Sequence, residues 1–177
     1  AAGGIRIDTA SHSRGEVERA VRRYVSVLVS DVGPDRDIFS SDVATDEAVM
    51  AWVMDTVSMH SRFTENAVVT GKPLSLGGTI GHTNSVARGL REILAPALAM
   101  SGLPERGARI MIQGAGKRGG NLAQLLAEDG HRVVGLSDVH GALYSQNGLD
   151  IAPLIAWRAK YGNLREAQGD FERITNE

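Results

Sequence analysis

The stretch Ile110-Met111-Ile112-Gln113-Gly114-Ala115-Gly116-Lys117-Arg118-Gly119 decides the fold of this 177-residue chain. Apolar residues over 108–113 predict a β-strand, and the leucines that follow the glycines at helical spacing predict a helix ending near Gly130. A second apolar run over 132–136 predicts another strand. Together these elements form a β-α-β unit of about thirty residues, the length that a parallel crossover needs.

The glycines of this stretch have the spacing G-x-G-x-x-G, which is typical of dinucleotide-binding turns when it joins a strand to a helix. Gly114 permits a tight turn, Gly116 lets a pyrophosphate approach the backbone, and Gly119 allows close packing of helix on strand. The helix N-terminus offers N–H groups and its positive dipole end to the phosphates. We predict that these glycines, with Lys117 and Arg118, bind the cofactor. The alternative is a tight turn that binds nothing.

An acidic residue, Asp138, follows the second predicted strand at the distance that the fingerprint requires. Its carboxylate is predicted to accept hydrogen bonds from the adenosine ribose, which favours NAD as the cofactor. Lys117, Arg118 and His140 keep NADP open as an alternative. The other interpretation of Asp138 is a turn residue ahead of Gly141.

Composition excludes several classes of function. The formal net charge of -2, without a long basic run, argues against a nucleic-acid partner. The absence of cysteine excludes disulfides and thiolate sites, and the five histidines lack metal-binding spacing. No apolar run is long enough for a membrane span. We therefore expect a cytoplasmic protein with neither a metal nor a membrane anchor.

The first half of the chain has a different pattern. Apolar spacing predicts a helix over 16–32, preceded by a capping box of Ser13 and Glu16, and a second helix with Thr45 as its N-cap. A strand is predicted over 67–70. The glycine-rich stretch 76–81 then marks a boundary between a part over 1–80 and a part over 81–177.

Three further expectations concern the second part. A third helix over 84–100 should be kinked or divided by Pro96. The Asn147-Gly148 turn, after the apolar residues 142–144, predicts a short hairpin. A last helix follows Asp150, and the polar stretch 165–177 is expected to fray.

Several stretches resemble, in unbroken order, the glutamate/leucine/phenylalanine/valine dehydrogenase family, and glutamate dehydrogenases most closely. Asp42-Val43-Ala44-Thr45-Asp46-Glu47 is similar to the family's catalytic-aspartate segment, and Val69-Thr70-Gly71-Lys72-Pro73-Leu74 to the next segment. Residues 112–119 and 137–150 are similar to its cofactor domain. The resemblance implies an α/β fold: a Rossmann-like β-α-β dinucleotide-binding unit, over 81–177, preceded by a partial α/β amino-acid-dehydrogenase domain for substrate and oligomerisation, over 1–80.

The resemblance also implies a reaction, the reversible oxidative deamination of an L-amino acid to a 2-oxo acid. Hydride passes to the nicotinamide, and the resulting imine is hydrolysed. Asp42 matches the aspartate that handles proton transfer, and Lys72 matches a lysine that we expect to be supporting or, alternatively, a solvated turn residue. A homo- or hetero-oligomer is expected.

The chain departs from the family pattern at positions that bear on catalysis. Ala2 stands where the family has the lysine that activates water, and Val86 replaces a threonine that helps to hold the nicotinamide amide. His82 opens the altered run before the third helix. The chain is also shorter than the family at both ends. These departures favour a second hypothesis, a catalytically inactive dehydrogenase-like subunit that acts through protein–protein assembly. A third is a fragment of a longer polypeptide.

Overall fold

Residues 3–175 are described in a computed structural model, in which the chain divides into two units between His82 and Thr83. This division lies two residues beyond the 80/81 boundary expected from the glycine-rich stretch. The roles assigned to the two parts stay predictions. Ala2, the position of the family's lysine, lies outside the described residues.

Two helices dominate the first unit: α1 (Arg14–Leu28) and α2 (Glu47–Ser61). The predicted capping box is confirmed, because the Ser13 side chain accepts the Glu16 N–H while the Glu16 carboxylate accepts the Ser13 N–H. The predicted N-cap of α2 is wrong: Asp46, not Thr45, accepts the Val49 N–H. The buried faces of these helices and the segment after α2 form one apolar core: Val25, Val49, Met50, Val53, Met54, Val57, Val68 and Val69.

The strand predicted over 67–70 is wrong. Asn66–Val68 form a short 3-10 turn, and only Val69 makes an isolated parallel bridge, to Phe39. The Phe39 N–H donates to the Val68 carbonyl at 2.9 Å, and the Thr70 N–H donates to the Phe39 carbonyl at 2.8 Å. This single bridge brings the chain around Asp42 alongside the segment that continues into Gly71. Two more 3-10 turns, Leu74–Leu76 and His82–Asn84, follow.

The second unit is built on a four-stranded sheet in the order β1-β2-β3-β4, with strands Arg109–Gln113, Arg132–Asp138, Gly141–Tyr144 and Glu172–Ile174. β1 and β2 are parallel and are joined by α4 (Lys117–Glu128), which confirms the predicted β-α-β unit and α/β fold class. β3 and β4 add to the sheet antiparallel. The remaining helices are α3 (Ser85–Met100) and α5 (Ile151–Tyr161).

Three predictions in this unit need correction. Pro96 lies inside α3 without dividing it. The hairpin turn is made by Val139 and His140, between β2 and β3, and not by the Asn147-Gly148 dipeptide. The stretch 165–175 is not frayed, because Ala167 is fully buried and residues 172–174 form β4. Contacts with residues far away in the sequence order this stretch, and its polar composition alone does not predict them.

The core of the second unit lies between the sheet and its helices: Ile112, Ala115, Ala123, Leu126, Val133, Leu136, Leu143, Leu149, Ile151, Leu154, Leu164 and Ala167. Within residues 3–175, no helix combines the length and the apolar character that crossing a bilayer requires.

Candidate functional site

The glycine turn between β1 and α4 has a geometry that only glycine allows at two of its positions. Gly114 has a φ of +94°, in the left-handed region, and its N–H donates to the Ser137 carbonyl at 3.0 Å. A Cβ on Gly119 would lie 1.9 Å from the Gly114 carbonyl oxygen, so the first turn of α4 packs directly on the loop. By contrast, the space around the Cβ position of Gly116 is empty to 4 Å.

The N-terminus of α4 is open. Gly116 is its N-cap and, lacking a side chain, caps none of the first-turn N–H groups. Lys117 and Arg118 are exposed in that turn. An uncapped helix start with adjacent cations and room above Gly116 is chemically suited to a phosphate or pyrophosphate.

Asp138 ends β2 and, unlike the glycine turn, is buried, with 8% of its surface exposed. One carboxylate oxygen accepts the His140 N–H at 2.8 Å, and the other accepts the Leu164 N–H at 2.7 Å. The sequence pattern predicts Asp138 at this strand end, but it gives no sign of Leu164, which lies 26 residues later. No local pattern identifies such a partner.

An open cavity of about 440 Å³ lies beside the hairpin turn that follows Asp138. Its wall from the hairpin comprises residues 139–143, its second wall is Leu164 and Arg165, and its third is Arg173 to Thr175. His140, Arg165 and Arg173 give this cavity basic or ionisable groups, whereas the residues from β3 are apolar. The Arg173 Nε donates to the Arg165 carbonyl at 2.9 Å, which ties two walls together.

Asp42, the predicted catalytic residue, lies in the first unit on an exposed turn. The Thr45 hydroxyl accepts the Asp42 N–H at 2.6 Å and donates to the Asp42 carbonyl at 2.9 Å. Ala44 completes the turn with a φ of +55°, a conformation that costs energy for a residue with a Cβ. The backbone of Asp42 is therefore fixed by its neighbours while its side chain reaches solvent.

Close to this turn lies the Gly71-Lys72 segment. A Cβ on Gly71 would lie 3.0 Å from the His82 ring and 3.2 Å from the Ser41 hydroxyl, so the three residues are in close proximity. The half-buried Lys72 donates from Nζ to the Val69 carbonyl at 2.9 Å. This contact ties the side chain to the backbone of its own segment, and the supporting role of Lys72 stays a prediction. The proximity of His82 to Gly71 is not predicted by any pattern in the sequence.

Both units match one family. Residues 77–177 match the family described as glutamate/leucine/phenylalanine/valine dehydrogenase, and residues 1–59 match the dimerisation domain of the Glu/Leu/Phe/Val dehydrogenases.

Similar proteins agree with this match. The chain is 40% identical over 175 residues to a catabolic NAD-specific glutamate dehydrogenase of Bacillus subtilis, covering 99% of this chain and 41% of that protein. It is 38% identical over 176 residues to a glutamate dehydrogenase of Thermotoga maritima, covering 99% of this chain and 42% of that protein. The chain thus spans about two fifths of the length of these relatives.

A solved structure of a hetero-hexameric glutamate dehydrogenase from Thermus thermophilus, in a Leu-bound form, superimposes with a TM-score of 0.86 at 38% identity. The superposition covers 94% of this chain and 39% of that one.

Proposed function

The chain belongs to the glutamate/leucine/phenylalanine/valine dehydrogenase family, and from that premise we propose that it binds a nicotinamide dinucleotide at its glycine turn. We propose further that it serves the oxidative deamination of an L-amino acid to a 2-oxo acid. The bound dinucleotide supplies the hydride acceptor of that reaction. NAD is the proposed form, supported by the name of the Bacillus subtilis relative, which is NAD-specific. Glutamate is the amino acid that the relatives' names favour.

The observation that carries this proposal is the contrast between Gly116 and Gly119. Gly119 is required by the fold itself, because a side chain there would collide with the Gly114 carbonyl. A Cβ on Gly116 would meet nothing within 4 Å beyond the adjacent residues of the chain, so packing within the fold does not explain why a side chain is absent there. Close approach of a pyrophosphate to the backbone does explain it. Lys117 and Arg118 then face the same anionic group.

Asp42 is the proposed site of proton transfer. Its turn holds the backbone through Thr45, and its exposed carboxylate is accessible to a substrate amine. A positioned carboxylate contributes about 10²–10⁴-fold to rate when it moves a proton in the transition state. We therefore expect Asp42→Asn to reduce turnover by at least about 100-fold without loss of dinucleotide binding.

The cofactor proposal is tested by calorimetric titration of NADH into the wild type and Gly116→Val. A Cβ at residue 116 meets nothing within 4 Å beyond the adjacent residues of the chain, so circular dichroism should be unchanged while NADH affinity falls at least about tenfold. Gly33→Val is the matched control, since a Cβ at Gly33 also meets nothing within 4 Å but lies in the first unit. Equal NADH binding by all three proteins would reject the glycine turn as the site.

A second candidate function is a non-catalytic subunit of a dehydrogenase assembly. Ala2 and Val86 favour it, because neither side chain supplies the ammonium or hydroxyl group found at the matching family positions. The hetero-hexameric relative from Thermus thermophilus supports the same alternative. Assembly with itself or with another chain is part of both proposals.

Steady-state assays with L-glutamate and NAD, combined with native mass measurement, separate the two candidates. Turnover by the wild type that Asp42→Asn abolishes supports the enzyme. Retained NADH binding without turnover, in a complex of mixed mass with a second chain, supports the non-catalytic subunit. A stable monomer at micromolar concentration would count against the assembly that both require.

A further inference from the structure

The buried carboxylate of Asp138 is committed to the protein's own backbone. Among the buried side chains of residues 3–175, Asp138 is the one carboxylate. A carboxylate taken out of water is costly unless strong hydrogen bonds replace its hydration. Here the N–H groups of His140 and Leu164 supply them, at 2.8 and 2.7 Å, one to each oxygen.

Both of these N–H partners line the cavity beside β2. His140 belongs to the hairpin wall and Leu164 to the wall that follows α5. Leu164 is itself 1% exposed, and Ala167 beyond it is fully buried, so Asp138 binds a segment that is packed into the core. Arg173 then secures the same segment from β4, through the carbonyls of Arg165 and Ala167.

We infer that Asp138 is a positioning residue that fixes the two walls of this cavity, rather than the direct ligand of the adenosine ribose. The inference rests on the proposed function, because it concerns how the adenosine half of the cofactor is received at the carboxyl end of β2. Two residues with exposed surface, Val139 and His140, form the turn at that end. The ribose then meets the turn that Asp138 holds in place, and the Asp138 carboxylate stays behind it.

The two roles make opposite predictions for cofactor discrimination. A carboxylate that touches the ribose accepts its hydroxyls and repels a 2′-phosphate, so its neutralisation should improve NADPH binding relative to NADH. A carboxylate that positions the walls affects both dinucleotides equally, because its neutralisation loosens the shared adenosine site. A positioning carboxylate also protects one particular backbone amide, that of Leu164, from hydrogen exchange with solvent.

The test uses Asp138→Asn, which preserves the size of the side chain. The substitution replaces one acceptor oxygen by an NH₂ group, so one of the two backbone N–H groups loses its acceptor and faces another donor. Hydrogen exchange is measured at the Leu164 and His140 amides, and dissociation constants are measured for NADH and NADPH. We expect exchange at one or both amides to accelerate by about tenfold or more, and both dissociation constants to rise by the same factor. Asp150→Asn is the matched control, since Asp150 is exposed and its side chain makes no cap hydrogen bond to α5.

Unchanged exchange at both amides in Asp138→Asn, or a gain of NADPH affinity relative to NADH, would overturn the inference. If the wild type binds neither dinucleotide, the proposed function fails, and the exchange measurement decides whether Asp138 fixes these walls. Should Asp138→Asn fold poorly at room temperature, the same exchange is measured in Arg173→Met, which removes the second tie of the 165–167 segment. If the amides of residues 165–167 exchange faster while the Leu164 amide stays slow, the hydrogen bond from Leu164 to Asp138 holds independently, which supports the inference. If the Leu164 amide accelerates as much as the amides of residues 165–167, the inference is overturned.

Discussion

The Cβ position of Gly119 lies 1.9 Å from the carbonyl oxygen of Gly114. Both atoms are held by backbone structure, Gly119 by α4 and Gly114 by its hydrogen bond to Ser137, so neither yields without moving an element. We expect Gly119→Ala to lower the free energy of unfolding by about 1–3 kcal/mol or more, as overpacking does elsewhere. Urea unfolding measures the change.

Gly89→Ala is the control for that experiment. Gly89 also lies within a helix, α3, but a Cβ there meets nothing within 4 Å. Alanine at an unobstructed helix position stabilises by up to about 1 kcal/mol. Destabilisation by Gly119→Ala together with stabilisation by Gly89→Ala is the expected result. Equal effects of both would show that the turn is not tightly packed.

The N-cap of α2 should respond to acid. Burial on its own would raise the pKa of Asp46, but the N–H of Val49 and the guanidinium of Arg14 outweigh burial and hold the pKa below its ordinary value. A carboxylate whose pKa is lower in the folded than in the unfolded state stabilises the fold at pH values above its unfolded pKa, which is near 4. This stabilisation is lost as the pH falls through the folded pKa.

Asp46→Asn tests this expectation because asparagine caps helices about as well as aspartate but carries no charge. The free energy of unfolding of the variant should be lower at pH 6 by a few tenths of a kcal/mol, since the side chain is half exposed. The difference from the wild type should shrink as the pH falls from 6 through the lowered pKa of Asp46. Unfolding curves at several pH values measure it, and a difference independent of pH would contradict the charge-based argument.

Arg22 joins α1 to α2. Its Nε donates to the Glu18 carboxylate at 2.8 Å on its own helix, and its Nη1 donates to the Asp55 carboxylate and, at 3.2 Å, to the Thr56 hydroxyl on α2. Arg22→Met keeps the apolar stem and removes these bonds. We expect the free energy of unfolding to fall by about 1 kcal/mol, because the guanidinium is only partly buried.

The neighbouring exposed Arg23 provides a control of equal chemistry. Arg23→Met should change the stability by less than about 0.5 kcal/mol, as exposed substitutions usually do. A double-mutant cycle with Asp55→Asn isolates the contribution of the contact between the helices. Additive effects of Arg22→Met and Asp55→Asn would show that the pair adds nothing to stability.

Local sequence patterns predicted those parts of the fold that are determined by residues close together in the sequence. The capping box of Ser13 and Glu16 and the β-α-β unit around Gly114 depend on residues a few positions apart, and both are confirmed. Gly130, with a φ of +84°, follows α4 where the pattern predicted its end. Each of these features is specified by backbone conformation or helix periodicity.

The errors arise where distant residues decide the structure. β4 exists because three residues of a polar stretch pair with β3, and nothing in their local sequence indicates a strand. The hairpin turn formed at Val139 and His140 because β2 continues to Asp138, although Asn147-Gly148 has the stronger local turn signal. For the site, the pattern located Asp138 at the end of β2, but its hydrogen bond to Leu164 depends on the fold.

The strand order β1-β2-β3-β4 has a consequence for synthesis. Every strand of this sheet after the first pairs with the strand made just before it, so β2, β3 and β4 each meet a partner that has already been synthesised. Because the entropy of closing such loops grows slowly with their length, the sheet is able to extend one strand at a time during translation. Asp138 emerges ahead of Leu164, and β4 emerges after Leu164. Assembly of this unit is therefore compatible with folding that proceeds in the direction of synthesis.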